Sequence, residues 1–170
     1  MVRIEVLAYD HPDSTALIAE VQQEYVVRYG DVDLTPVDPA EFAPPHGLFL
    51  VGYLDGVAVA TGGWRRHGEH DAEIKRMYVN ASARGRGLAR RVLAELEDTA
   101  RAAGLRRLVL ETGDEQPEAI ALYRSAGYTP VPPFGYYADE EGSVHLGKEL
   151  RLLETNRDTR VSDERVGTPE

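Results

Sequence analysis

Residues 3–9 mix branched apolar and polar side chains and predict a first strand. His11-Pro12-Asp13-Ser14 then supplies a turn and a helix N-cap. Leu17, Val21, Tyr25 and Tyr29 recur at intervals of four, one face of a helix that Gly30 closes. Residues 31–45, broken by Pro36, Pro39 and Pro44, predict an irregular loop. Segments 48–54 and 57–64 flank Asp55-Gly56, a hairpin signal because both turn residues tolerate positive φ. A polar turn around residues 67–70 leads to a third strand, 73–79. The middle of the chain is therefore expected to be a three-stranded antiparallel meander.

The period then changes. After a short loop, Leu88, Val92, Leu93, Leu96 and Ala100 fall on one face of a helix that Gly104 stops. Residues 105–112 form a compact apolar strand, so strand, loop, helix and strand make a β-α-β unit with a parallel pair. A second helix is expected over 118–125, and strands over 128–131 and 143–150 complete the sheet, joined by Pro132-Pro133-Phe134-Gly135. Beyond Arg151 apolar residues are sparse. The pattern predicts one mixed α/β domain over residues 1–151 and a polar, disordered tail over 152–170.

Composition narrows the functional classes. The 170 residues suit a single domain, and no apolar run approaches the roughly 18 residues of a membrane span. The start, Met-Val-Arg-Ile-Glu-Val, reads as a strand and not as a signal peptide. The chain contains no cysteine, so there is no disulfide framework, thiolate metal site or cysteine nucleophile; a cytoplasmic protein is expected. A net charge of −10 argues against nucleic acid as the main partner, since phosphate-backbone binding needs a positive surface. An acidic surface would attract a cationic amine, although the same charge also serves solubility. His67 and His70 stand in a tight polar turn where both rings cannot easily converge on one ion, so no metal is expected.

The loop after Val79 is the specific feature. Gly85 and Gly87 stand at a strand-to-helix junction, with Arg84, Arg86, Arg90 and Arg91 beside them. Glycine lets backbone approach a ligand closely, and the following helix aims its free N–H groups and positive dipole end back at the loop. Together with the arginines this makes an anion cradle. A Walker loop would need Gly-Lys-Ser/Thr where Gly87-Leu88-Ala89 stands, and a dinucleotide fingerprint would need glycine at Arg90. By itself the segment is equally compatible with a plain turn carrying solvated arginines.

The neighbours resolve this. Glu73-Ile-Lys-Arg-Met-Tyr-Val79 followed by Arg84-x-x-Gly87-x-Ala89 resembles the acetyl-CoA motif of the GNAT (GCN5-related) N-acetyltransferase superfamily, and Ala119-Ile-Ala-Leu-Tyr123-Arg-Ser-Ala-Gly127-Tyr128 resembles its second block. The closing pattern from Pro133 to Leu150 is similar to small bacterial members of unsettled substrate. The resemblance spans residues 3–151. It implies a mostly antiparallel central sheet with a splayed parallel pair, flanked by helices. It also implies acetyl-CoA as cosubstrate, with pantetheine along Met77, Tyr78 and Val79 and pyrophosphate on the amides of Arg84, Gly85, Arg86, Gly87, Leu88 and Ala89.

Catalytic roles carry over in the same way. Tyr123 occupies the position of the tyrosine that protonates the departing thiolate. Glu73 matches the glutamate used as base in histone-acetyltransferase-type members, with Glu111, at the end of the next strand, as rival. Where many members carry an asparagine that bonds near the cofactor, this chain has Gln116 followed by Pro117, which puts that contact in question. Tyr25 and Tyr29, and likewise Tyr136, Tyr137, Trp64 and Phe134, are candidates to line the acceptor site. The implied reaction is transfer of acetyl to a small-molecule or peptide primary amine by direct attack in a ternary complex, with a homodimer possible by analogy. A protein N-terminus or lysine as acceptor, or a non-catalytic CoA-binding domain, are the alternatives.

Overall fold

The structure is a computed structural model describing residues 1–151. The tail expected over 152–170 lies outside the described residues. Seven strands form one sheet: β1 (Val2–Val6), β2 (Gly47–Leu54), β3 (Val57–His67), β4 (Asp71–Val79), β5 (Arg107–Gly113), β6 (Thr129–Pro130) and β7 (Ser143–Glu149). Their spatial order is β1-β2-β3-β4-β5-β7-β6. Every pairing is antiparallel except β4 with β5. This is the mixed, mostly antiparallel α/β sheet anticipated from the chain, with helices α1 (Pro12–Tyr29), α2 (Leu88–Ala102) and α3 (Pro117–Ser125) against it.

The two faces of the sheet bury separate cores. On one face Trp64, Ile74, Leu108 and Leu110 of the sheet share a core with Leu88, Val92, Leu93 and Leu96 of α2 and Tyr123 of α3. The predicted face of α2 is thus buried whole, as its 3.6-residue period requires. Trp64 belongs to this core and not to an acceptor site; its indole Nε1 donates to Thr99 Oγ1 at 3.0 Å. On the other face Leu17 of α1 joins Phe42, Phe49, Val51 and Tyr53. Phe42 comes from the stretch expected to be irregular. A single 3-10 turn, Pro39–Phe42, is built there by a capping box in which Asp38 and Glu41 bond each other's backbone. Its one turn is too short for periodicity to reveal.

Two irregularities shape the middle of the sheet. β4 and β5 pair only at Asp71–Arg107, Ala72–Leu108 and Glu73–Val109, after which the strands separate. The β3–β4 register also slips between Thr61 and Gly63, and Arg76 takes φ 61°. A non-glycine residue in that region costs on the order of 1–3 kcal/mol and persists only when its surroundings enforce it. Here Thr61 Oγ1 donates to the Arg76 carbonyl at 2.7 Å. The bulge breaks the alternation of side chains, so Lys75 and Arg76 both reach Asp33 in the segment after α1.

Gly62 lies opposite this bulge. A Cβ on it would stand 2.6 Å from Met77 Sδ and 2.8 Å from Val92 Cγ1. Gly62→Ala is expected to destabilise the fold by about 1–3 kcal/mol through overpacking, read as a lower urea midpoint with an unchanged m-value.

Candidate active site

The separation of β4 and β5 opens a cavity of about 1080 Å3. One end is built by the loop before α2. Gly85 and Gly87 take φ 81° and 75°, a backbone path open to glycine, and Gly87 is the N-cap of α2. No side chain caps that helix start, so its first amides face the cavity without a protein side-chain acceptor. Arg84, Gly85, Gly87, Leu88 and Ala89 line this end, and Arg90 adds a further cation. Arg86 is off the cavity wall. Along one side run Met77, Tyr78 and Val79, which have no β5 partner because pairing has already ended.

The other end lies where the strands diverge. Lys75, Glu111, Ser143 and Tyr137 form its walls, with Asp33 and Leu34 from the segment after α1. Tyr137 joins two loops: its hydroxyl accepts from the Leu34 amide at 2.8 Å. Tyr25 and Tyr123 line the space between the two ends. Among the described residues no group of three or more His, Cys, Asp or Glu could hold a metal, and no helix is long and apolar enough to cross a membrane.

An uncapped helix start beside a pair of splayed parallel strands is the arrangement the sequence motifs imply. The acetyltransferase (GNAT) family profile matches residues 15–128. The chain belongs to that family. An IAA acetyltransferase of Azospirillum brasilense is 42% identical over 115 residues, covering 67% of this chain and 75% of that protein. The N-acetyltransferase YjgM of Escherichia coli, itself uncharacterized, is 33% identical over 154 residues, 85% of this chain and 88% of its own. Among solved structures, a provisionally assigned acyl-CoA N-acyltransferase of Klebsiella pneumoniae superposes with TM-score 0.74 at 32% identity, covering 89% of this chain and 99% of that one.

Within this GNAT fold the expected site residues divide between the cavity wall and positions off it. Tyr123 is buried at 5% exposure on the cavity wall, with its ring edge-on to Tyr128 at 5.6 Å. Its hydroxyl makes no hydrogen bond to protein among the described residues. Burial, with Tyr25 nearby, raises its pKa well above the usual phenol range, so it remains a donor. Glu73, expected as the base, is placed differently. Its Oε1 is held by Arg65 Nη2 at 2.9 Å and Nε at 3.0 Å, and it is absent from the cavity wall. The parallel β4–β5 contact ends at Glu73 itself, so its side chain is enclosed where the strands still touch.

Glu111, two residues further along β5 than the last paired position, stands on the cavity wall. Burial raises its pKa above the ordinary value, while a bond from Ser143 Oγ at 3.1 Å and the Lys75 charge oppose the shift. Gln116 also lines the cavity, but its Nε2 donates to Tyr29 Oη at 3.2 Å, so its amide is engaged by α1. Tyr29 packs so close to Gly113 that a Cβ there would lie 1.9 Å from the hydroxyl. Phe134 packs between His67, tilted at 5.0 Å, and His145, edge-on at 5.1 Å, off the cavity wall. The Asp33–Lys75–Arg76 cluster was not anticipated, because strand alternation would send Lys75 and Arg76 to opposite faces.

Proposed function

We propose that the chain transfers acetyl from acetyl-CoA to a primary amine by direct attack, with Glu111 as base and Tyr123 as acid. One observation carries the reading: a single cavity joins the uncapped start of α2 to both Glu111 and Tyr123. The fit to acetyl-CoA rests on donor chemistry. Free amides at a helix start and two arginines suit a diphosphate, and the unpaired edge of Met77, Tyr78 and Val79 suits an amide-bearing chain. Acetyl-CoA would supply the activated carbonyl and the thiolate leaving group.

The residues divide the proton work. The amine nitrogen forms its bond to the carbonyl carbon as the carbon–sulfur bond breaks. Glu111 accepts the proton that nitrogen loses, directly or through one water. A carboxylate whose pKa is raised by burial is a stronger base than a solvated one. Tyr123, kept protonated by burial, donates its hydrogen bond to the departing sulfur. With no cysteine in the chain, a thioester carrier on the protein has no obvious candidate.

Thermal shift against acetyl-CoA, ATP and NAD tests the donor, and release of free thiol with a panel of amines tests the reaction. Stabilisation by acetyl-CoA together with amine-dependent thiol release is expected. Stabilisation by ATP or NAD but not by acetyl-CoA would overturn the reading. Tyr123→Phe is expected to lower kcat by about 10²-fold, the low end for a positioned acid. The panel should include a peptide with a free N-terminus, because an N-alpha-acetyltransferase, RimI of Mycobacterium tuberculosis, is 34% identical over 94 residues.

A further inference from the structure

The charges on the cavity wall around Glu111 are unevenly matched. Lys75 Nζ lies 2.8 Å from Asp33 Oδ2, and Arg76 Nη1 bonds the same oxygen. The three side chains are 9%, 4% and 11% exposed for Lys75, Arg76 and Asp33, so the cluster is shielded from water. Burial would raise the Asp33 carboxyl, but Lys75, with hydrogen bonds from Thr35, holds it well below the usual carboxylate range. Asp33 also accepts from the Thr35 amide at 3.0 Å, and its own amide donates to Gln22 Oε1 at 2.8 Å. Its position is therefore fixed from four directions.

The acids on the same cavity behave differently. Asp31, Asp114, Glu140 and Glu141 line it, and none forms a salt bridge among the described residues. Lys75 and Arg76 are thus taken up by Asp33, and Glu24 and Glu118 of the same cavity pair with Arg28 and Arg84, which leaves these four acids without a cation partner. An incoming amine thus meets unpaired negative charge near Glu111, while the cations there, Lys75 and Arg76, are already engaged by Asp33.

We propose that Asp33 is a specificity-determining residue: by holding Lys75 and Arg76 together, it makes this end select amines bearing a second cation and reject amines bearing a carboxylate. The inference rests on the acetyl-transfer reading above and names the acceptor class for the same site. The bulge at Arg76 is part of the device, because it brings the second cation to the Asp33 side, where alternation would have turned it away. The same charges set the pH response of Glu111. The groups around it are Glu73 and Lys75 from β4, Asp33 from the segment after α1, Tyr25 and Tyr29 from α1, Tyr137 from the loop before β7, and Ser143 and His145 from β7. Of the charged ones, Asp33 and Glu73 raise its pKa and Lys75 lowers it.

The test compares diaminobutane, butylamine and gamma-aminobutyrate, matched in chain length, as acceptors with acetyl-CoA. The full chain is used as wild type, Asp33→Asn and Lys75→Gln. Wild type is expected to prefer diaminobutane over gamma-aminobutyrate by roughly 10-fold or more in kcat/KM. Asp33→Asn leaves both cations uncompensated, so that ratio falls by roughly 10-fold and the acid limb of the pH profile moves to lower pH. Lys75→Gln keeps Asp33 paired with Arg76 and shifts both readouts the opposite way, which keeps the test decisive if Asp33→Asn fails to fold. A wild-type preference for gamma-aminobutyrate, or a ratio and pH profile unmoved by the variants that fold, overturns the proposal. If wild type releases thiol with none of these amines nor any other on the panel, the acetyl-transfer reading itself fails, and that outcome is distinct.

Discussion

Glu111→Gln is expected to lower kcat/KM by about 10²–10⁴-fold while raising the melting temperature at neutral pH. The first effect follows because an amide cannot accept the amine's proton. The second follows from linkage. The Glu111 pKa is raised in the folded state, chiefly by burial, so its contribution to stability is fully present below the unfolded value and is lost as pH rises through the folded value. At neutral pH, above the unfolded value, the wild-type protein carries the cost of that raised carboxyl pKa, and glutamine removes it. The amide oxygen can still accept from Ser143, and Lys75 keeps its pairing with Asp33, so no new unpaired charge appears. Melting curves between about pH 4 and 8 check the sign: the difference between variant and wild type should shrink towards the acid end. Glu73→Gln makes the contrast. It weakens the ion pair with Arg65, so stability should fall, and kcat/KM should change far less than in Glu111→Gln. Equal losses of activity in the two variants would reject Glu111 as the base.

Gly87→Glu is expected to raise the KM for acetyl-CoA by roughly 10–100-fold with the fold intact, the range that a loss of about 1.4–3 kcal/mol in binding gives. Gly87 opens α2 at φ 75°, and a Cβ built on it meets nothing within 4 Å. The new side chain therefore has room, and its carboxylate is attracted to the helix start. It would compete there with the diphosphate and leave the cavity otherwise unchanged. The left-handed backbone adds a strain of about 1–2 kcal/mol that any side chain carries. Gly87→Ala isolates that strain, so calorimetric titration of both variants with acetyl-CoA separates charge from backbone. Similar affinities for the glutamate and alanine variants would argue against an anion bound at the start of α2.

The elements legible in the chain were those whose signal is local and repeated. The period of Leu88, Val92, Leu93, Leu96 and Ala100 is buried along its whole length in α2, and Asp55-Gly56 turns the β2–β3 hairpin with positive φ at both residues. Gly85 and Gly87 also take positive φ, the freedom for which glycine stands at a strand-to-helix turn. The face of α1 was read less fully. Leu17 and Val21 enter the core, but Tyr25 turns to the cavity and Tyr29 crosses to Gly113 and Gln116. Periodicity reports which face points inward and is silent on whether inward means core or cavity.

By itself the sequence determined the order of strands and helices, the glycine turn that opens α2, and the family motifs that identify a GNAT fold. These depend on neighbours along the chain, whose spacing is fixed by covalent geometry. Only the tertiary structure decided which glutamate faces the cavity. Glu73 and Glu111 lie on adjacent parallel strands, and the point where those strands part leaves one enclosed beside Arg65 and the other open. It likewise decided that Lys75 and Arg76 share Asp33, since a bulge against β3 overrides the alternation that each strand has alone. Both outcomes depend on register between strands far apart in sequence, which no local pattern encodes.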